Sequence, residues 1–400
     1  MVQTKPAALT GNEAMAEAMR QINPDVVAAY PITPQTEIVQ IFADFAANGK
    51  VKTQFVQVES EHSALSAVVG AAASGARAMT ATSSNGLAYM WEILYIASSL
   101  RLPVVMPVIN RTLSGNINIH CDHSDTMGAR DAGWIQIYCE DAQEAYDSMI
   151  MAVRIAERAR LPVMVMTDGF IISHCMTDMA LYPDEAVRAF VGEFKPRYSL
   201  FDLDHPISVG PIDLPDWYME HKEQQSLAMG ASKPIVLEAQ KAFAQDFGRK
   251  DYGLFDAYRL DDAEYAMVVI GSTAGTARPV VDALRAQGRK VGLLRPRLFR
   301  PFPAADWANA LSGKKGIVAM DRSDSLADFG GPVAQHLRAA LYDAPFRPPM
   351  MNLIYGLGGR EIQPEEIRQI FENLFRHVET GASPRSTSGY WGVREWPVKE

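Results

Sequence analysis

A few short segments of this chain combine residue types that could do chemistry. Tyr30-Pro31-Ile32-Thr33-Pro34 holds a hydroxyl between two prolines, whose ring and restricted predecessor present Thr33 in a defined direction. A rigid strand-to-helix turn with Thr33 as helix cap accounts for the same pattern. Val58-Glu59-Ser60-Glu61-His62-Ser63 places carboxylates in a helix's first turn, near free N–H groups and the positive end of the dipole. There a carboxylate stays ionised and can take a proton from an approaching ligand nitrogen, or it merely complements the dipole. Thr82-Ser83-Ser84-Asn85-Gly86 is a small polar turn that offers backbone N–H groups to a ligand, or a tight turn with a Ser or Asn cap.

Arg111, in Asn110-Arg111-Thr112-Leu113-Ser114-Gly115-Asn116, could grip a carboxylate with two parallel hydrogen bonds or close a structural ion pair. Just beyond it, His120-Cys121-Asp122-His123-Ser124-Asp125 looks superficially like a metal site. Contiguous loop residues point in several directions, whereas a metal needs three or four converging donors, so no metal is expected. Gly271-Ser272-Thr273-Ala274-Gly275-Thr276 follows a strand and opens a helix, the position of a phosphate loop. Its spacing is neither G-x-G-x-x-G nor Walker A, so it reads as a close-packed turn, with anion contact or nucleotide binding as the alternative.

The elements that must position these loops alternate regularly. Helices are expected over 13–22, 35–47, 61–74, 86–98 and 141–158, and strands over 26–30, 53–58, 77–82, 104–109 and 163–167. Residues 110–133 read as a polar loop. This rhythm predicts a doubly wound, mostly parallel sheet with helices on both faces, and ligands then sit at the carboxyl ends of the strands. Between 195 and 260 the rhythm breaks at Pro196, Pro206, Pro211, Pro215 and Pro234, which suggests a connecting arm with one or two helices. A second alternating set follows from 265 to 377. The last residues, with Ser383, Pro384 and Ser386, read as a tail, and Trp391 and Trp396 point to its lying on a partner surface.

Four hundred residues exceed one ordinary core and predict two domains, possible third included. The net charge of −9 argues against nucleic acid or an anionic membrane as the main partner. Cys121, Cys139 and Cys175 form no C-x-x-C pair and cannot by themselves hold a four-thiolate iron–sulfur cluster or a structural zinc. The sparse cysteines suit a reducing compartment, and neither a signal peptide nor a membrane helix is readable, so a cytoplasmic α/β protein is expected.

Taken in order at the ends of successive strands, Tyr30 to Thr36, Glu59-Ser60-Glu61-His62-Ser63-Ala64 and the stretch from Asn110-Arg111 to Asp125 closely resemble the α subunit of the 2-oxoacid:ferredoxin oxidoreductases. The likeness is best to the pyruvate branch with separate subunits. It continues through Asp168-Gly169-Phe170-Ile171-Ile172-Ser173-His174, Phe299-Arg300-Pro301-Phe302-Pro303 and Tyr355-Gly356-Leu357-Gly358-Gly359-Arg360-Glu361, up to about residue 375.

The resemblance implies two doubly wound domains. A thiamine diphosphate pyrimidine-binding-type domain would cover 1–232, with its connecting arm beginning near 195. A linker over 233–260, a transketolase C-terminal-like domain over 261–376 and a tail over 377–400 would follow. Glu61 matches the family glutamate that contacts the pyrimidine ring nitrogen and promotes its imino tautomer. Thr33 and Arg111 match the residues that bind the 2-oxoacid, Arg111 at the carboxylate. A partner β subunit would carry magnesium and the diphosphate, in keeping with the absence of a G-D-G segment here. Iron–sulfur clusters would lie on γ and ferredoxin-like δ subunits, with coenzyme A as co-substrate and ferredoxin as acceptor. Asn116 stands where the branch commonly has proline, and residues 321–330 look divergent. The acyl pocket is therefore open between pyruvate and an aryl 2-oxoacid such as phenylglyoxylate, the latter with NAD reached through a flavin/NAD subunit. A non-catalytic structural subunit is the alternative from another class.

Overall fold

The structure is a computed structural model, and it describes residues 2–327, 329–381 and 388–394. Its first part is built from β1 (Lys5–Leu9), α1 (Gly11–Ile22), β2 (Val26–Ala29), α2 (Thr36–Ala47), β3 (Gln54–Gln57), α3 (Glu61–Ala73) and β4 (Ala78–Met79). There follow α4 (Ser84–Tyr89), α5 (Trp91–Ser99), β5 (Val105–Asn110), α6 (Ser124–Gly128), β6 (Ile135–Tyr138), α7 (Ala142–Ala159), β7 (Val163–Asp168), β8 (Thr177–Leu181) and α8 (Asp184–Val191). Helix starts follow their capping residues. Thr10 and Glu13 form a reciprocal capping box at α1, and Asp141 accepts from Glu144 N–H at α7.

β2 to β5 and β7 are parallel neighbours in a seven-stranded sheet ordered β12-β6-β7-β5-β4-β2-β3. Every residue of β5, β6 and β7 is buried, as continuous apolar strands covered on both faces should be. The expected strand over 77–82 is reduced to two residues plus an isolated bridge from Thr82 to Val108. The expected helix over 86–98 is two helices that meet at Met90. The region read as a polar loop contains α6, and β6 follows it.

The arm is dominated by α9 (Tyr218–Phe247), which carries Pro234 inside it. Residues 233–247, expected as linker, are the second half of that helix. Val236, Ala239, Phe243 and Phe247 lie along one buried face in the first domain's core, and this burial outweighs the break that proline favours.

The second part comprises β9 (Phe255–Tyr258), β10 (Tyr265–Val269), α10 (Thr273–Ala286), β11 (Val291–Pro296), β12 (Leu298–Arg300), α11 (Ala304–Ala310), β13 (Gly316–Asp321), α12 (Pro332–Tyr342), β14 (Met350–Ile354), α13 (Pro364–Thr380) and β15 (Ser388–Tyr390). Its sheet runs β15-β14-β13-β10-β11-β9, parallel except for β9. The tail thus adds a parallel edge strand, and Trp391 donates from its indole to Glu366 at 3.2 Å. Trp396 lies outside the described residues.

The two parts are laced together. β12 leaves the second part and pairs antiparallel with β6 at the edge of the first sheet. The arginines around that crossing, Arg295 and Arg297, are fully buried against Glu144 of α7, at 3.1 and 2.8 Å. Glu140 also accepts from Arg278 at 2.5 Å. Removing one member of a buried ion pair leaves the other charge uncompensated. We therefore expect Glu144→Ala to destabilise the protein by roughly 3–5 kcal/mol in denaturant unfolding. An unchanged midpoint would mean that the two arginines reach water.

Candidate functional site

The parallel registers bring the singled-out loops to one edge. Thr33 follows β2, Glu61 follows β3, Ser84 and Gly86 follow β4, Arg111 follows β5 and Asp168 ends β7. Asn110 pairs directly with Asp168, so Arg111 and Gly169 leave neighbouring strands together.

One buried carboxylate joins two of these loops, those after β4 and β5. Asp125 accepts from Ser84 N–H at 3.1 Å, from Arg111 N–H at 3.0 Å and from the Asn110 side chain at 2.8 Å. Burial pushes its carboxyl up to about 6, against the pull of those hydrogen bonds. Ser84 takes a left-handed φ of 44° at this junction and donates its hydroxyl to Thr112 O at 2.5 Å. Ser84 is therefore fixed by tertiary bonds in a conformation that a non-glycine residue avoids in isolation.

Glu61 sits at the first position of α3, with Ser60 as N-cap, and is 7% exposed. Its carboxyl makes no side-chain hydrogen bond among the described residues, and burial raises its pKa. Gly86 packs against it: a Cβ there would come 2.8 Å from Glu61 Oε1 and 2.5 Å from Thr82 Oγ1. The hydroxyls of Thr82 and Ser83 are buried without a partner. Glu59 behaves differently. It is exposed and accepts from the Ser63 hydroxyl, which lowers its pKa.

Arg111 is also 7% exposed. Its guanidinium donates to Thr33 O at 2.8 Å and to Asn118 O at 3.2 Å, both neutral carbonyls. No carboxylate pairs with that guanidinium among the described residues. Burial pulls its pKa down, opposed by the nearby Asp125 charge. Thr33 is exposed and caps nothing: Gln35 precedes α2, and the Thr33 hydroxyl makes no hydrogen bond among the described residues. The structure thus brings Thr33 and Arg111 into direct contact and sets Glu61 on the adjoining β3–β4 loops.

The histidine–cysteine loop does converge, but on a cation already supplied by the chain. Cys121, His123 and Asp168 lie with their ligand atoms within 4.8 Å of one another. Arg322, from the end of β13, donates to Asp168 at 3.1 Å and stands 3.8 Å from the Cys121 sulfur. His123 Nε2 is 2.8 Å from the same carboxylate. Burial alone would raise the Asp168 carboxyl, yet His123 and Arg322 hold it well below the usual carboxylate range. Cys121 is pushed up by burial, which keeps it a thiol and a poor metal ligand. The Gly271 turn is occupied in the same way. Ser272 N–H and Oγ donate to Asp168 at 3.0 and 2.5 Å, and a Cβ on Gly271 would come 2.7 Å from its Oδ1. The anion at this helix start is the protein's own side chain, which leaves no place for a nucleotide phosphate.

Asp125 and Asp168 were not singled out for these roles in the sequence. Asp168 carries a readable signal, an acid ending an unbroken buried strand where solvent cannot satisfy it; Asp125, inside α6 and far beyond β5, carries none.

Two mostly parallel sheets, with a glycine-faced buried carboxyl and an arginine that has no carboxylate partner among the described residues on one rim, suit a coenzyme-dependent enzyme subunit. Comparison with known proteins agrees. The sequence profile of the pyruvate flavodoxin/ferredoxin oxidoreductase thiamine diphosphate-binding domain matches residues 17–241, and that of pyruvate:ferredoxin oxidoreductase core domain II matches 263–367. The pyruvate synthase subunit PorA of Thermotoga maritima is 55% identical over 97% of this chain and 98% of its own length. The ketoisovalerate oxidoreductase subunit VorA of Pyrococcus abyssi is 39% identical over 98% and 99%. Among solved structures, the 2-oxoglutarate:ferredoxin oxidoreductase of Magnetococcus marinus shares the fold, with a TM-score of 0.71 and 21% identity over 92% of this chain and 65% of that one. A split-gene transketolase matches at a TM-score of 0.54, with 11% identity over 92% of this chain and 99% of that one.

The chain belongs to the 2-oxoacid:ferredoxin oxidoreductase family, as an α-type subunit like those of pyruvate:ferredoxin oxidoreductase. It is a subunit of an oxidoreductase with thiamine diphosphate as coenzyme. Its fold is a pyrimidine-binding-type domain followed by a transketolase C-terminal-like one. No relative found supports the phenylglyoxylate and NAD expectation.

The depressed pKa of Asp168 has a testable sign. Its ionised form stabilises the folded state fully above the ordinary value of 3.8, and that contribution is lost as pH falls toward the folded value. Asp168→Asn should therefore be markedly less stable than wild type at pH 7, with the gap narrowing below about pH 4. A gap that stays constant through acid titration, followed by thermal unfolding, would remove the ion-pair role.

Proposed function

We propose that this chain is the α subunit of a pyruvate:ferredoxin oxidoreductase, which oxidatively decarboxylates pyruvate with coenzyme A to acetyl-CoA and carbon dioxide. The observation that carries this reading is two groups on one rim that lack side-chain partners among the described residues: a guanidinium without a carboxylate and a buried carboxyl without a side-chain hydrogen bond. A 2-oxoacid supplies the anion that Arg111 lacks. The exposed Thr33 hydroxyl beside it can donate to the carboxylate or to the ketone oxygen.

The orphan carboxyl of Glu61, the unpartnered hydroxyls of Thr82 and Ser83 and the glycine wall at Gly86 fit the polar edge of an aminopyrimidine ring. When bound, thiamine diphosphate supplies the carbon that adds to the ketone and the electron sink for decarboxylation. Glu61 would share a proton with the ring nitrogen, and the burial that raises its pKa favours the protonated carboxyl. Arg111 orients the leaving carboxylate. Its two carbonyl contacts fix the guanidinium without a competing acid, so it need not be pulled from an ion pair before substrate binds.

The site is half-built, which supports a partner subunit carrying magnesium and the diphosphate. Tyr30 and Ile117 on loops, and Tyr89 and Trp91 where α4 meets α5, lie exposed around it, as residues covered in an assembly would. Cys121 and Cys139 are buried and only Cys175 is exposed, which fits clusters carried by γ- and δ-type subunits that pass electrons to ferredoxin. No helix among the described residues is long and apolar enough to cross a membrane, in line with a cytoplasmic complex.

In the assembled complex, Glu61→Ala should cut turnover by at least roughly 100-fold, read as viologen reduction. Near-normal turnover would overturn the acid–base role. Arg111→Ala should mainly raise the Michaelis constant for the 2-oxoacid, and an unchanged constant would remove its carboxylate role. A panel of pyruvate, 2-oxobutyrate, 2-oxoisovalerate, 2-oxoglutarate and phenylglyoxylate tests the substrate. Pyruvate is expected to give the highest kcat/KM, and preference for another acid would reassign the complex.

A further inference from the structure

The segment Tyr355-Gly356-Leu357-Gly358-Gly359 follows β14 in the second domain, and the site chemistry above does not use it. Gly356, Gly358 and Gly359 all take positive φ, at 65°, 63° and 77°. The last two press against the loop that runs from Arg111 to His123. A Cβ on Gly358 would come 2.5 Å from Asn118 Nδ2, and one on Gly359 would come 2.4 Å from His120 Cβ. Only glycine combines this backbone conformation with so close an approach.

Asn118 is the residue that the segment grips. Its Nδ2 donates to Gly358 O at 3.2 Å, while its Oδ1 accepts from His120 N–H at 2.7 Å. Its own carbonyl accepts from Arg111 Nε at 3.2 Å. Asn118 therefore touches the second domain through its side chain and the substrate arginine through its backbone. Two main-chain bonds secure the return of the loop: Gly359 N–H to Cys121 O and His123 N–H to Arg322 O, both at 2.7 Å.

We infer that the second domain sets the position of the carboxylate-binding arginine, with Gly358 and Asn118 as positioning residues for 2-oxoacid recognition. This rests on the reading of Arg111 as the carboxylate ligand. The physical need is clear, because no ion pair holds the Arg111 guanidinium. Of its two carbonyl contacts, one belongs to Asn118, so drift of that loop frees a long side chain that must otherwise be ordered when substrate binds. The geometry thus gives the second domain a share in the substrate site.

The test uses the intact complex with Asn118→Asp and Gly358→Ala, alongside Arg111→Ala. Aspartate keeps the acceptor for His120 N–H and loses the donor to Gly358 O. The Michaelis constant for pyruvate should rise about five- to tenfold in Asn118→Asp, with kcat and the constant for coenzyme A changed less than about twofold. Gly358→Ala should act in the same direction and more strongly; if it fails to assemble, Asn118→Asp alone decides. An unchanged pyruvate constant in Asn118→Asp, while Arg111→Ala raises it, overturns the inference and leaves the arginine reading standing. Equal rises for pyruvate and coenzyme A also overturn it, because they mark general loosening. No effect in Arg111→Ala removes both.

Discussion

The carboxylate of Asp168 is buried between two domains and meets an imidazole from one and a guanidinium from the other. His123 approaches from the first domain and Arg322 from the second, while Ser272 caps the same oxygen from the start of α10. A lone carboxylate in that position would be expelled or neutralised, so the domains can close over it only if all three partners arrive. Because Asp168 terminates β7, next to Asn110 of β5, this constraint is transmitted directly to the strand that carries Arg111. The geometry of the rim that carries Arg111 and the docking of the second domain are thus one problem in charge burial.

Helix starts elsewhere in the second domain follow the same logic. Asp321 accepts from Val333 and Ala334 N–H at 2.7 and 3.1 Å, filling the start of α12 as Asp168 fills the start of α10. In many open α/β sheets such positions cradle a ligand phosphate. Here they are consumed by acids of the protein. At the carboxyl edge of the first sheet, by contrast, the hydroxyls of Thr82 and Ser83 are buried with no partner among the described residues.

The order of the elements was legible because β2, β3, β5 and β7 are short apolar runs ended by proline, glycine or a polar turn, and α1 and α7 carry readable caps. What escaped depends on contacts distant in sequence. β6 cannot be told from loop until β12, more than a hundred and fifty residues on by number, is laid beside it. α9 survives Pro234 because its far side is buried on α7, which no local pattern reports. Of the site, Thr33, Glu61 and Arg111 could be picked out because each follows a strand at the sheet's carboxyl edge. Their setting could not. The carbonyl that Thr33 lends to Arg111, the hub at Asp125 and the capture of the His123 loop by Arg322 arise only once the strands are in register. The apparent metal loop is instructive: its donors do converge, but only because an arginine from the other domain stands among them.

The crossing of β12 into the first sheet has a consequence for how the chain is made. During synthesis the first domain's strands emerge long before residues 298–300, and until then β6 presents an open edge with its hydrogen-bonding groups unsatisfied. The growing polypeptide therefore cannot complete its first domain before the second has been made as far as β12. For that interval the unpaired edge is a place where nascent neighbours can stick to one another. A gene divided between the two domains would make that interval permanent.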